Sequence, residues 1–216
     1  MIVTIDGPAG AGKSSAAVRL AGRLGFAFLD TGAMYRAVAL AGLRSGLPLD
    51  DEVCLAQLVA GMRLEMPGTK VILNGEDVSE AIRTPEVTKA SMPIAASRVV
   101  REQLVVWQRT IASGRDIVTE GRDQGSFVFP DAECKFFLTA EPRERAIRRH
   151  RELISRGETI TVDEVLAMQN ERDARDAARS FAPLKKADDA IVVETTGMNL
   201  DQVVDRLEEL VRERMI

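Results

Sequence analysis

Apolar positions along this chain recur with two different periods. Ile2 to Asp6 is a short apolar run rich in β-branched residues that stops at a glycine-rich stretch. In the following SSAAVRLAGRLG, the residues Val18, Leu20, Ala21 and Leu24 fall at helical spacing, so strand, loop and helix are predicted in that order. Phe26 to Leu29 reads as a second buried strand, Thr31 to Ser45 as a helix started by Thr31, and Asp51 to Gly61 as another helix. The alternation then breaks. Arg63 to Met66 and Lys70 to Leu73 have strand character, and Asn74-Gly75 marks a hairpin turn into Glu76 to Val78, which predicts an antiparallel insert. Helical stretches over Thr84 to Ala96 and Ser97 to Ser113 precede two further buried strands, Ile117 to Glu120 and Lys135 to Leu138. Pro142 opens a strongly basic helix, and a loop at 157–161 leads to a helix over Val162 to Ala178. Ala190 to Val193 and Leu200 to Arg214 then supply a fifth core strand and a closing helix. With no internal repeat, the pattern predicts an α/β fold: a parallel five-stranded sheet flanked by helices, carrying one inserted subdomain and one small lid.

Composition narrows the picture. A chain of 216 residues, 45% hydrophobic, can fill a sizeable core. Its 29 basic and 33 acidic side chains leave a net charge of −4, so the molecule lacks the positive field that would hold a nucleic-acid backbone, and any polyanion must be met locally. Cys54 and Cys134 lie far apart without metal-ligand spacing and are expected as reduced thiols, which suits the cytoplasm. No signal segment and no apolar run approaching the ~18 residues that span a bilayer are present, so no membrane role is expected.

The strongest chemical signal is Gly7-Pro8-Ala9-Gly10-Ala11-Gly12-Lys13-Ser14, which matches G-x-x-x-x-G-K-[ST] between a predicted strand and a predicted helix. Glycines let the backbone wrap so that successive N–H groups and the helix N-terminus point at phosphates. Lys13 is placed to bridge the β- and γ-phosphates, the Ser14 hydroxyl to ligate Mg²⁺, and Ser15 completes the stretch. ATP with magnesium is thereby implied, while the phosphoryl acceptor stays open.

Beyond this loop, DTGAMYR at Asp30 to Arg36, EGRDQGS at Glu120 to Ser126 and ERDARDAAR at Glu171 to Arg179 resemble bacterial cytidylate kinases over nearly the whole chain. The insert agrees, since NGEDVSEAIRTPEV at Asn74 to Val87 is similar to the enlarged monophosphate-binding subdomain of that family. The resemblance implies a phosphate-loop kinase core at 1–30, 114–147 and 163–216, a monophosphate-binding arm at 31–113 with the insert at about 63–95, and a lid at 148–162. It also implies a monomer that moves the γ-phosphoryl group of ATP onto CMP or dCMP.

Phosphoryl transfer between two anions needs positive charge held in a dry cleft, and arginines supply it. Arg36 and Thr31 match family positions that hold the acceptor nucleotide, and Arg122, just past a strand's carboxyl end, is assigned to the acceptor phosphate. Arg172, Asp176 and Arg179, spaced by four and three, share a helix face. Spacing alone favours a salt-bridge ladder worth only about 0.3–0.5 kcal/mol per exposed pair. The resemblance raises them to acceptor contacts, Arg172 near the phosphate and Asp176 and Arg179 near the ribose hydroxyls.

Arg148, Arg149 and Arg151 lie on the basic helix leading to the lid, where they could swing toward the transferring phosphoryl, although at least one is expected to be a solvated helix charge. His150 is expected to be exposed and without a role as base, because the attacking monophosphate oxygen is already anionic. Glu120 is expected to orient waters on Mg²⁺. For the base, Asp123 matches the family position that accepts from cytosine N4, and Arg101 the one that faces the base's acceptor side; Arg101 also reads as a plain helix-surface charge. A family serine expected nearby falls in register on Met92, beside Ser91. Two other readings stay open: a kinase for UMP or another monophosphate, and a nucleotide-binding regulator that has lost catalysis.

Overall fold

The computed structural model describes residues 1–155 and 157–215. Arg156, inside the expected lid, and Ile216 lie outside the described residues. In chain order the elements are β1 (Ile2–Asp6), α1 (Lys13–Leu24), β2 (Ala27–Leu29), α2 (Thr31–Arg44), α3 (Glu52–Ala60), β3 (Leu64–Glu65), β4 (Ile72–Leu73) and β5 (Glu76–Asp77). There follow α4 (Pro85–Ala96), α5 (Arg98–Ala112), β6 (Ile117–Glu120), β7 (Cys134–Thr139), α6 (Pro142–Ser155), α7 (Val162–Ala177), β8 (Ile191–Glu194) and α8 (Leu200–Arg212). A 3₁₀ turn at Ala81–Arg83 and a π-helical turn at Gln124–Val128 complete the series.

The chain forms two compact units, Met1–Ala27 with Asp116–Ile216, and Phe28–Arg115. The larger sheet has five strands in the order β2-β6-β1-β7-β8, and its four longer strands, β6, β1, β7 and β8, build the first unit. β1 runs parallel to both β6 and β7, and β7 parallel to β8, with Val3 paired to Val118 on one side and Cys134 on the other. The central strand is buried on both faces, Val3 and Ile5 on one and Thr4 on the other, as helices covering both faces require. Strand order reverses around β1, so its carboxyl end is a topological switch point, where open α/β sheets bind ligands. The helix α1 buries Ala16, Ala17, Leu20 and Ala21, and α8 buries Val203, Val204, Leu207, Leu210 and Val211, the i, i+3/i+4 stripes that pack these two helices together. Ala146 and Leu153 of α6 meet Val165 of α7 in a small apolar cluster with Ile160, Val162 and Leu166.

In the second unit, α2 packs on α4, the 3₁₀ turn, α3 and α5. The insert is a three-stranded antiparallel sheet, β3-β4-β5. Its β4–β5 hairpin turns on Asn74 and Gly75 at φ 51° and 87°, the left-handed pair that a two-residue hairpin demands.

Some expectations need correction. Asp30, not Thr31, caps α2, its carboxylate accepting the Ala33 N–H at 2.8 Å, so Thr31 is the first helical residue. The strand β2 is three residues long, and only Leu29 is buried. β8 buries only Val193, an edge strand's pattern. Arg179 lies beyond the end of α7, which is capped at Ala178. His150 is half-buried, its Nε2 3.0 Å from the Ile160 carbonyl oxygen. The turn at Gln124–Val128 had no apolar period to announce it.

Candidate active site

The loop after β1 owes its shape to glycine. Gly7 sits at φ 144°, where a Cβ would lie 2.0 Å from the Leu138 carbonyl oxygen of β7. Gly10 and Gly12 are also left-handed, at φ 76° and 86°. The helix α1 starts on Lys13 directly after Gly12, with no side-chain cap and no acidic residue in its first turn. Its first N–H groups and positive dipole end therefore suit an anion. The Lys13 ammonium is buried and donates to the Pro8 carbonyl at 2.8 Å, folding back over its own loop. Burial, reinforced by the nearby Arg122 guanidinium, lowers its pKa to about 7. The Ser14 hydroxyl donates to Glu120 Oε1 at 2.8 Å.

Asp6, the last residue of β1, borders the loop, a charged group that the sequence pattern concealed inside a strand. Its carboxylate is buried and accepts the N–H groups of Gln124 at 2.9 Å and Gly125 at 2.7 Å, tying the strand to the turn that follows Arg122 and Asp123. Burial pushes its pKa up to about 7.

A second charged cluster is centred on Asp176 of α7, which is buried. Arg122 Nε donates to Asp176 Oδ2 at 2.9 Å, Arg179 contacts Oδ1 at 2.5 Å, and Arg172 Nε lies 3.9 Å away. One carboxylate thus gathers three guanidiniums. Arg122 and Arg179 are largely buried whereas Arg172 is exposed, so the intrahelical ladder expected from spacing is only its weakest edge. Asp123 is buried beside Arg122.

The arginines of α6 divide. Arg148 is anchored by the Thr195 carbonyl at 2.6 Å, the Thr195 hydroxyl at 3.0 Å and Glu144 at 3.1 Å. Arg149 pairs with Glu152 at 2.8 Å, and Arg151 is exposed. Arg145, which the sequence reading passed over, is buried and reaches the phosphate loop: its guanidinium donates to the Ala9 carbonyl and to Asp173 Oδ2, both at 2.7 Å. Its position among five arginines on one basic helix gave no signal that would have singled it out.

In the unit Phe28–Arg115, Thr31 is buried and Arg36 lies 3.5 Å from Asp30, its buried Nε lacking a hydrogen-bond partner. Arg101 is buried, with its guanidinium donating to the Tyr35 hydroxyl at 3.3 Å, which excludes a solvated helix charge. Met92 is exposed, and the Ser91 hydroxyl donates to the Thr88 carbonyl of its own helix. Asp123 and Arg101, assigned to one base from the sequence, belong to different units.

A glycine loop at the switch point of a parallel sheet, opening on a lysine and a helix N-terminus, puts the protein among the phosphate-loop nucleotide-binding proteins. Comparison with known proteins narrows that class. A family model described as cytidylate kinase matches residues 3–213. The cytidylate kinase of Rhodopirellula baltica is 52% identical over 99% of this chain and 93% of its own, and that of Syntrophotalea carbinolica 49% identical with the same coverage. The chain belongs to the cytidylate kinase family. Among solved structures, an uncharacterized protein from Eubacterium ventriosum superposes with a TM-score of 0.56 at 13% identity, covering 98% of each chain, a likeness of fold. Among the described residues no helix is long and apolar enough to cross a membrane.

Proposed function

We propose that this protein transfers the γ-phosphoryl group of ATP to CMP or dCMP, giving ADP and CDP or dCDP. The observation that carries the reading is the pairing, in one compact unit, of a phosphate loop with a three-arginine cluster. The first suits a nucleoside triphosphate, and the second suits the phosphate and hydroxyls of a monophosphate acceptor. The family supplies the base.

Roles follow from charge and reach. The loop's N–H groups from Gly10 to Ser15 take the ATP phosphates, and Lys13 turns from the Pro8 carbonyl to the β- and γ-phosphates, regaining a full positive charge beside them. Arg122 and Arg172 neutralise the acceptor phosphate. Asp176 accepts from ribose hydroxyls, positioned by Arg179. Asp123 accepts from cytosine N4. A phosphate oxygen of the acceptor attacks the γ-phosphorus while the bond to the β–γ bridging oxygen breaks. The electron pair leaves with ADP, and no base is required. Arg149, which pairs with Glu152 on its own helix, and the exposed Arg151 supply charge to the transferring group, and Arg148 fixes the helix that carries them.

Mg²⁺ fits the donor set. The Ser14 hydroxyl and the Glu120 carboxylate are hard oxygens at hydrogen-bond distance. Among the described residues no group of three or more His, Cys, Asp or Glu side chains forms a protein-only cage. That is the sparse protein coordination this ion keeps when phosphates and water fill its shell. Ser14 would hold it directly and Glu120 through water, and it would neutralise phosphate charge. We read the protein as a cytoplasmic monomer that needs no nucleic acid or membrane partner.

A coupled assay with ATP across CMP, dCMP, UMP and AMP tests the reading. Turnover highest with CMP or dCMP is expected. Preference for UMP or AMP would move the protein to a different acceptor, and no turnover with any would favour a regulator.

A further inference from the structure

The backbone of Ala9 is held at both its N–H and its carbonyl. Its N–H donates to Asp173 Oδ1 at 2.8 Å, and its carbonyl accepts from Arg145 at 2.7 Å. Arg145 and Asp173 are themselves bonded at 2.7 Å through the other carboxylate oxygen, closing a ring of three interactions around one loop residue. Arg145 also donates from Nε to the Ala140 carbonyl at 3.2 Å, so its fork is fixed at the junction of β7 and α6. The next residue, Gly10, meets the same two helices. A Cβ there would lie 2.4 Å from Gln169 Nε2 of α7 and 2.9 Å from the Arg145 carbonyl oxygen of α6. Both charged side chains are largely buried, at 7% and 16% exposed, which an adventitious surface pair would not be.

From this geometry we infer that Arg145 and Asp173 are positioning residues that set the shape of the phosphate loop for the triphosphate and transmit the placement of α6 and α7 to it. Asp173 satisfies the Ala9 N–H, which leaves the later N–H groups, at Gly10 to Ser14, to converge on phosphate. A lone carboxylate on such a loop would repel ATP. Arg145 cancels that charge while gripping the adjacent carbonyl, so the pair shapes the loop at no net electrostatic cost to the ligand. Neither residue touches the reacting atoms. The inference rests on the ATP reading of the loop and adds to it how the loop is held.

The test is the steady-state behaviour of Arg145→Gln, Asp173→Asn and the double variant, with KM for ATP and CMP and the Tm measured for each. Each single variant is expected to raise KM for ATP about tenfold or more, because small misplacements of positioning groups weaken binding steeply, while KM for CMP stays within about twofold. The double variant is expected to bind ATP no worse than Arg145→Gln, since removing the unpaired carboxylate relieves the repulsion that the arginine had cancelled. Unchanged or lowered KM for ATP in the single variants would overturn the inference, the lowered value marking Asp173 as a competitor of phosphate. So would losses that add in the double variant, or a fall in active fraction with both KM values unmoved. Should Arg145→Gln fail to fold, Arg145→Lys, which keeps the charge and loses the fork, carries the same expectation. A wild-type protein without ATP affinity would overturn the proposed function instead, whereas wild-type affinity that the variants leave intact overturns only the positioning pair.

Discussion

The phosphate loop and the cluster around Asp176 gather positive charge by opposite means. The loop uses backbone: left-handed glycines, an uncapped helix start and one lysine, all within eight contiguous residues. The cluster uses side chains brought from just past β6, the last turns of α7 and the segment beyond it, with a carboxylate as the keystone. The difference predicts where each is vulnerable. A loop made of main chain is intolerant of added Cβ atoms and depends on one ammonium for full charge. A cluster of three guanidiniums around one carboxylate loses its arrangement when the carboxylate goes, although each arginine alone is replaceable in part.

Removing the loop's lysine should show the largest effect. Lys13→Ala is expected to lower kcat by about a hundredfold or more, because a charge aimed at the transferring phosphates is lost. The Tm should hold, since the ammonium is buried and its pKa depressed, a sign that the fold gains little from its charge. A kcat above about a tenth of wild type would contradict the role, as it leaves less than about 1.4 kcal/mol of barrier to Lys13.

Taking out the keystone comes next. Asp176→Ala leaves Arg122 and Arg179 without their shared partner, and kcat/KM for CMP is expected to fall roughly tenfold to a hundredfold, with a smaller loss for dCMP if the carboxylate holds the 2′-hydroxyl. Steady-state kinetics with both acceptors decides this; an unchanged kcat/KM for both would return Asp176 to a salt bridge. Asp123→Asn probes the base. An amide can donate to uracil O4 where a carboxylate cannot, so the CMP/UMP ratio of kcat/KM should drop about tenfold, mostly through lost CMP activity. A constant ratio with both activities lowered would mean that Asp123 only supports Arg122.

The smallest effect concerns Asp6, which joins the two regions within the sheet unit. Its pKa is raised to about 7, so between about pH 4 and 7 the unfolded chain has already lost a proton that the folded chain keeps. Stability contributed by the group is therefore present at low pH and lost as pH rises toward 7, a change on the order of a few kcal/mol at most. Asp6→Asn should flatten that part of the profile in urea unfolding from pH 5 to 6.5. Parallel wild-type and variant profiles would rule out the titration.

The loop was legible because its signal is local: spacing, glycine content and the flanking strand and helix are all read from contiguous residues. The strand and helix series was legible for the same reason. Asp176, Arg122 and Arg179 were legible as motif residues, but not as one cluster, since their meeting depends on where β6 and α7 come to rest. Arg145 and Asp173 were not singled out at all. Each sits among other charges, and burial, which separates the two from their neighbours, is a tertiary property. Arg101 shows the same limit: its helical position read as surface, yet packing beside Tyr35 buries it.

The central claim, transfer from ATP to a cytidine monophosphate, is tested most directly by following the γ-phosphorus itself. Wild-type protein incubated with Mg²⁺, CMP and ATP labelled at the γ-phosphate should place the label in the β-position of CDP, with little released as inorganic phosphate, and Lys13→Ala should place almost none. Label appearing chiefly as free phosphate, or CDP formed equally well by Lys13→Ala, would contradict the account.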